Sequence, residues 1–350
     1  MIYLFCWAIN YVLYFLASLK AFPCKLSAFI SLFFLGCIIF FRGVVGTDTL
    51  AYEMYAQNML GDSGLTNNLE AGFKYLLYVL VKITSSPMLA VRFVGAFFII
   101  LLMVFVRRAN KIELFFLMMV FVPAFFFSFG MNALRFGLAA CFLLLFFQRI
   151  RLDSYKTAIV YAVLSILMHN SALFVVGFWL LLFFNLFSRR NIYYLSLLTF
   201  FVVLAFYLRQ DWVLEKFVLY FKSGYESPSK YSGLSTIAGI VLLLAGMYFS
   251  KLERKFKYRL FFTTLFMAVV FFLVTQVSYS GLRFLNLLFF ASIFSFMTLH
   301  SKSNKNITRT TIYILFFMGI MSAGFNYRNM LDSVGAEAAF IPYVFYWQEG

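Results

Sequence analysis

Residues 114–130 read LFFLMMVFVPAFFFSFG, an uncharged apolar run long enough to cross a bilayer. A transmembrane helix needs about 20 apolar residues, with a range of about 17–25. The rest of the chain is similar: of its 350 residues, 64% are hydrophobic, 22% aromatic and only 12% charged. Too little polar surface remains to cover a globule in water, which excludes soluble globular, disordered and fibrous proteins.

Similar runs elsewhere predict an all-α fold, a polytopic transmembrane helical bundle of about 12 spans. The approximate bounds of these runs are 2–19, 26–41, 88–106, 114–130, 133–148, 157–169, 171–187, 191–208, 232–250, 260–277, 281–299 and 310–325. A further run at 73–83 is too short to span and carries Lys74 and Lys82, which predicts an interfacial or re-entrant helix. No linker or charge block divides the chain, so one integral membrane domain is expected over residues 1–350.

The charges predict which connections share a side of the membrane. Every second connector is basic, and together these connectors hold 18 of the 29 basic residues but only three of the 13 acidic ones. Cytoplasmic loops collect Lys and Arg, so this alternation predicts that both termini lie outside. The larger outer segments are then 42–87, 209–231 and 326–350. The net charge of +16 is a topology signal and does not predict a nucleic acid partner.

The informative residues are ionisable groups in apolar surroundings, because such groups are costly to bury and tend to be paired or functional. They all fall on the predicted outer side: Arg42, Asp48, Glu53, Arg92, Arg135, His169 and Arg283. Any chemistry is therefore expected at the outer face. Each of these residues also has a structural interpretation, as a helix cap, a snorkelling arginine or an interfacial histidine. Neither the four cysteines nor the two histidines show metal-ligand spacing, so no metal site is predicted.

Three local patterns suggest how these groups could act. A helix that begins near Asp48 would place Asp48 and Tyr52 on the same face. Arg42, together with unsatisfied backbone N–H groups nearby, would form a phosphate-binding site. Asn132 and Arg135 would share one face of a helix that begins at an outer turn. Gly137 would allow another helix to approach this one closely. Tyr279 and Arg283 repeat the arrangement of a polar residue followed by an arginine at the start of a span.

The order of these motifs is more specific than any one of them. The chain resembles the EpsG-type family of exopolysaccharide polymerases, which are relatives of the Wzy O-antigen and capsule polymerases. The resemblance covers about residues 40–290 and rests on Arg42, Gly46-Thr47-Asp48, Tyr52, Glu70-Ala71-Gly72-Phe73, Asn132, Arg135, Ala139, His169, Ser171-Ala172-Leu173, Tyr279 and Arg283. Phe136 and Ala71 stand where the family often has Gln and Pro.

The resemblance implies a GT-C-like glycosyltransferase in the bacterial inner membrane, with its site facing the periplasm. The donor would be a growing glycan on undecaprenyl pyrophosphate, and the acceptor a repeat unit on the same lipid. Membrane lipids and a protein that regulates chain length are the other expected partners, and no cofactor is expected.

On this hypothesis the arginines Arg42, Arg135 and Arg283 clamp the departing diphosphate, since fixed donors aimed at developing charge are usually the largest catalytic effect. Asp48 is the first candidate for the base that takes the acceptor's proton, followed by Glu53 and His169. The other substrate-binding candidates are Arg92 and Asn132, with Tyr52 and Tyr279 stacking on sugars.

Two other classes of function remain open. A flippase for lipid-linked sugars would need charges through both halves of the membrane, often with repeat symmetry. A membrane acyltransferase that uses His169 would need a catalytic partner and a donor site, commonly on the cytoplasmic side. The one-sided distribution of ionisable groups favours the polymerase.

Overall fold

The computed structural model describes residues 1–61, 69–183, 232–276, 278–303 and 307–348. Every element longer than one turn in these ranges is a helix. The helices are α1 Ile2–Ser18, α2 Cys24–Phe40, α3 Thr49–Leu60, α4 Ala71–Thr84, α5 Pro87–Arg108, α6 Lys111–Asn132, α7 Leu134–Arg151, α8 Tyr155–Met168, α9 Ala172–Phe183, α10 Leu234–Tyr248, α11 Arg254–Thr275, α12 Tyr279–Ser303 and α13 Arg309–Asp332.

The all-helical membrane class predicted from the sequence is confirmed. Eleven of the twelve predicted spans overlap a helix, and the remaining one, 191–208, lies outside the described residues. Within the described part of the chain, α5, α6, α11, α12 and α13 are long and apolar enough to cross a membrane, while α1, α2, α8, α9 and α10 are apolar but shorter. The count of twelve crossings and the GT-C-like arrangement stay predictions.

Helix α6 forms the centre of the bundle. It packs against α1, α2, α5, α7, α12 and α13, and almost all of its side chains are buried. By contrast, α11 and α13 turn most of their apolar surface outward, as shown by the exposed rings of Phe262, Phe266 and Phe317. Because the outward side chains are apolar, these helices fit a lipid environment.

Pro123 explains why the hydrogen bonding of α6 is irregular, and two neighbouring helices supply donors to this stretch. Pro123 has no N–H to offer the carbonyl four residues before it, and α6 adopts a π-helical turn over Leu117–Phe121. The amide of Asn10 in α1 donates to the carbonyl oxygen of Met118 at 2.6 Å. The amide of Asn326 in α13 donates to the carbonyls of Pro123 and Ala124 at 2.9 and 2.8 Å. Side chains from two neighbouring helices thus bind the carbonyls of the irregular stretch.

Basic connectors gather at one end of the bundle, here called the basic end. Lys25 donates to the carbonyl of Arg107 at 2.9 Å, and Lys302 pairs with Asp153. Asn110 donates to the hydroxyl of Ser301 at 2.6 Å. Connectors that are far apart in the chain therefore lie together, as their charges predicted. Arg189, Arg190 and Lys305, which belong to the same predicted set, lie outside the described residues, as does the predicted outer segment 209–231.

The most buried ion pair of the basic end joins α6 to α7. Glu113 is fully buried, and its carboxylate accepts from Arg151 Nε at 2.7 Å and from the Asn110 backbone N–H at 2.9 Å. Asn110 in turn accepts from the Glu113 N–H at 2.9 Å, which completes a capping box. This pair fixes the start of the central helix.

Two helices extend beyond the predicted spans. His300 follows the run predicted at 281–299, and it is fully buried in the last turn of α12, with its ring 4.9 Å from that of Phe296. The outer segment expected at 326–350 begins later, because residues 326–332 continue α13. In both cases the helix continues into polar sequence because its residues still pack against the bundle.

Substituting Glu113→Ala should lower the unfolding free energy by about 3 kcal/mol, because it leaves the Arg151 charge largely buried without a partner. Asp153→Asn is the matched control, since it removes the exposed pair with Lys302 and should leave the melting temperature unchanged within error. Melting of both variants in detergent checks this prediction. Equal melting temperatures for the two variants would contradict it.

Candidate functional site

A helix break positions two of the predicted site residues. Helix α6 ends in a π-helical turn over Ser128–Asn132, the chain leaves helical geometry at Ala133, and α7 begins at Leu134. A Cβ atom at Gly137 would collide with the carbonyl oxygen of Phe129, so the glycine predicted to allow close approach does so at this break. The expectation that Asn132 and Arg135 share one helical face is wrong, because the break separates them: Asn132 ends α6 and Arg135 lies in the first turn of α7.

The loop between α2 and α3 crosses this break and binds to it. Asn132 Oδ1 accepts from the Asp48 backbone N–H at 2.7 Å and from the Thr47 hydroxyl at 3.0 Å. Gly46 has a φ of +103°, and a Cβ there would lie 2.9 Å from the carbonyl oxygen of Met131. A side chain at position 46 would therefore be strained and would push the loop away from the helix end.

The predicted helix after Asp48 is confirmed as α3. Asp48 occupies its N-cap position, but the carboxylate makes no cap hydrogen bond, and the residue is exposed. Desolvation by the surrounding protein raises the pKa of this carboxyl, while the positive charges of Arg135 and Arg283 act in the opposite direction. Both guanidinium groups are therefore within electrostatic range of an accessible carboxylate.

Glu70 links two of the predicted residues, although it was not itself predicted as a site residue. It immediately precedes α4, and its carboxylate contacts Arg135 Nη1 at 2.9 Å and His169 Nδ1 at 3.8 Å. The sequence held two signals that point to it: Glu70 begins the motif Glu70-Ala71-Gly72-Phe73 that supports the resemblance, and it is an acid in a predicted outer segment of a chain with only 13 acids. On the other side of Arg135, the buried Tyr52 hydroxyl hydrogen-bonds to the guanidinium and its ring packs 5.6 Å from that of Phe73.

His169 lies in the turn between α8 and α9. Its Nδ1 accepts the backbone N–H of Ser171 at 3.0 Å, which assigns the proton of the neutral ring to Nε2. Desolvation lowers the pKa of His169, and Arg135 and Arg283 lower it further, against the opposing charge of Glu70. The edge of Phe136 packs on the imidazole at 5.6 Å. The ring is thus neutral at pH 7 and offers Nε2–H as a donor.

The predicted residues divide into two groups. Asp48, Asn132, Arg135, His169 and Arg283 lie together with Glu70 and Tyr52 in what we call the open cluster. Arg42 and Arg92 instead form a buried group, and Glu53, which is half-buried, lies near Arg42. Only 1% of Arg42 and 4% of Arg92 is exposed, and the guanidinium of Arg92 lies 4.6 Å from the ring centre of Tyr346. Burial lowers the pKa of Arg42 to about 10, and the charge of Glu53 acts against this shift.

Several predicted roles are not tested by this arrangement and stay predictions. Tyr279 begins α12 one turn before Arg283, and its stacking on a sugar stays a prediction. Tyr52 is only 5% exposed, and its burial favours support of Arg135 over stacking on a substrate. Within the described residues, no group of three or more His, Cys, Asp or Glu side chains could hold a metal ion.

The bundle and its open cluster define a class: a multi-helix membrane protein with a cluster of arginines and carboxylates at the end opposite its basic connectors. The chain belongs to the EpsG family, whose model matches residues 25–345. Membership indicates a membrane protein with a polysaccharide polymerase-type function. No curated protein and no solved structure matches the chain.

The substitution Glu70→Gln should lower the pKa of His169 further, because it removes the negative charge that favours the imidazolium. The chain has only two histidines, so nuclear magnetic resonance of ¹⁵N-histidine-labelled protein can follow this titration. Glu253→Gln, an exposed acid at the basic end, is the control and should change nothing. An unchanged or raised pKa of His169 in Glu70→Gln would show that the two side chains do not interact.

Proposed function

We propose that the protein is a glycosyltransferase that polymerises lipid-linked repeat units. The growing glycan is transferred from undecaprenyl pyrophosphate to the terminal sugar hydroxyl of a repeat unit on the same lipid. A glycosidic bond forms at the anomeric carbon, the bond from that carbon to the diphosphate oxygen breaks, and the lipid diphosphate leaves with the electron pair. The acceptor proton passes to a base on the protein.

The observation that carries this proposal is the open cluster itself. Arg135 and Arg283 sit near an accessible carboxylate, Asp48, and a neutral imidazole, His169. The side chain of Arg135 is 30% exposed. Its Nη1 donates to Glu70, and its Nε is buried without a hydrogen-bond partner. A buried donor without an acceptor is costly, and a diphosphate oxygen would satisfy it. Arg135 and Arg283 are therefore the proposed clamp.

Asp48 is the proposed base. Its carboxylate is exposed and not used for capping, whereas that of Glu70 is bound to Arg135 at 2.9 Å. A general base works best when its pKa is raised toward the working pH, and desolvation raises the pKa of Asp48. His169 cannot take a proton at Nδ1 while that atom accepts from Ser171, so its proposed role is to donate Nε2–H to a phosphate or sugar oxygen.

The proposed location is the bacterial inner membrane, with the open cluster facing the periplasm. The basic end would face the cytoplasm by the rule that Lys and Arg collect in cytoplasmic loops. The open cluster lies at the other end of α7, whose last turn carries Arg149 and Arg151. A lipid diphosphate whose sugar has been moved across the membrane would then meet the cluster at headgroup level.

Replacing the proposed clamp should stop polymerisation. Arg135→Ala should reduce chain growth at least about 100-fold while single lipid-linked units persist, because one lost donor to developing charge costs about that much. Purified protein with lipid-linked repeat units, resolved by gel, measures this. Arg328→Ala is the matched control, an exposed arginine that pairs with Asp332 at 3.6 Å. Wild-type protein that moves these lipids across vesicles but never lengthens them would instead indicate a flippase.

The pH dependence should report Asp48. A base acts when deprotonated, so turnover should fall as pH drops through its pKa, at a pH above the usual value of about 3.9 for Asp. Removing a nearby positive charge raises a carboxyl pKa, so Arg283→Gln should move this acid limb to higher pH. Arg328→Gln should leave the limb in place. An acid limb that stays fixed in Arg283→Gln would exclude Asp48 as the base.

A further inference from the structure

The last residues of the chain return to the bundle and bind the loop that carries Asp48. This segment, residues 340–348, is called the C-terminal strap. The Gly43 N–H donates to the carbonyl of Val344 at 2.8 Å, and the Tyr346 N–H donates to that of Phe41 at 3.1 Å. Arg42 and Phe345 thereby form an antiparallel β-bridge. The strap pairs with the loop by backbone hydrogen bonds, which fix its register.

Two tyrosines, the buried Tyr3 and the half-buried Tyr343, tie the strap to the first helices. The Tyr343 hydroxyl donates to the carbonyl of Ile38 at the end of α2, at 2.7 Å. The Tyr3 hydroxyl at the start of α1 donates to the carbonyl of Phe340 at 3.0 Å. The strap is therefore held by side chains at Phe340 and Tyr343 and by backbone bonds at Val344 and Tyr346, and it covers the buried group that contains Arg42.

Arg42 connects the strap to the helix break. Its Nη1 donates to the carbonyl of Val45 at 3.3 Å and to that of Met131, in the last turn of α6. The last carbonyls of a helix have no partner within it, and a cation near them also complements the helix dipole. Thr49 adds a hydroxyl bond to Val45 at 2.7 Å. The guanidinium thus caps α6 from another segment and binds the loop in the same contact.

We propose that Arg42 is a positioning residue: held under the C-terminal strap, its guanidinium caps α6 at Met131 and fixes the loop that presents Asp48 to Arg135. The next residue after Met131 is Asn132, which binds the Asp48 backbone, and Arg135 follows in the first turn of α7. One guanidinium therefore sets the separation between the proposed base and the proposed clamp. This assigns Arg42 to the support of the site, in place of the diphosphate contact expected from its sequence context.

Hydrogen exchange measured by mass spectrometry tests the positioning without any assumption about the reaction. In Arg42→Ala, amides of residues 41–50 and 128–136 should exchange at least about tenfold faster, since local opening becomes easier. Peptides of the basic end, such as 149–156, should keep their wild-type rates. Arg328→Ala should leave all rates unchanged. An arginine that only binds substrate would not protect these amides in the free protein, and unchanged exchange at 41–50 would overturn the proposal.

Kinetics on lipid-linked repeat units give the second arm, which rests on the proposed polymerase. A misplaced catalytic group costs about 100-fold in kcat, so Arg42→Ala should lower kcat by about that factor and leave KM within about threefold. A raised KM with unchanged kcat would mean that Arg42 grips the diphosphate directly. If the wild-type protein makes no polymer, the proposed function fails, while the exchange measurement still decides the role of Arg42.

Conservative variants keep the test informative if Arg42→Ala does not fold. Arg42→Lys retains the charge and three donors, but they sit on a single flexible ammonium in place of a rigid planar guanidinium, so it should recover part of the lost kcat and protection. The double substitution of Tyr3→Phe with Tyr343→Phe removes the two hydroxyls that tie the strap to α1 and α2, and it changes the side-chain volume very little. It should speed exchange in residues 41–50 and in the strap together. Exchange that rises in the strap alone would show that the strap does not hold the loop.

Discussion

A helix that ends inside apolar protein must find donors for its last carbonyls, and this constraint shapes the site end of the molecule. Water is scarce there, so the donors come from other segments of the chain. At the end of α6, the carbonyl of Met131 accepts from the guanidinium of Arg42. The side chain of Asn132, the next residue, accepts from the backbone N–H of Asp48 in the loop before α3. The break that exposes these groups also turns the chain into α7 and sets Arg135 beside them. The contacts that cap the helix are thus also the contacts that assemble the site.

Scarce acids explain the second feature of the structure. The chain has 13 acidic residues against 29 basic ones, and several acids lie next to a cation at an end of the bundle. Glu113 holds Arg151 at the basic end, and Glu70 holds Arg135 in the open cluster. A partly buried charge needs a partner because desolvation is expensive. In Arg135 this pairing occupies only part of the guanidinium, so donors remain for a ligand.

The arginines of the open cluster and those of the buried group have different roles. Arg135 and Arg283 keep access to the end of the bundle and stand near Asp48. Arg42 and Arg92 are covered by the strap, where one binds backbone carbonyls and the other stacks on Tyr346. Accessible guanidinium groups suit a charged substrate, while covered ones suit the alignment of loops. A site that must align a charged substrate benefits from a rigid frame under its accessible charges.

The sequence by itself determined the membrane class, most helix positions and the gathering of basic connectors, because these depend on local hydrophobicity and on where charge can lie relative to a bilayer. It also predicted that Asp48, Arg135, His169 and Arg283 lie at one end. Only the tertiary structure decided that Glu70 joins Arg135 to His169, that Arg42 is buried, and that the strap returns to Phe41. Those contacts join segments up to several hundred residues apart, and no local pattern encodes which carbonyl or carboxylate a guanidinium will meet after the helices have packed.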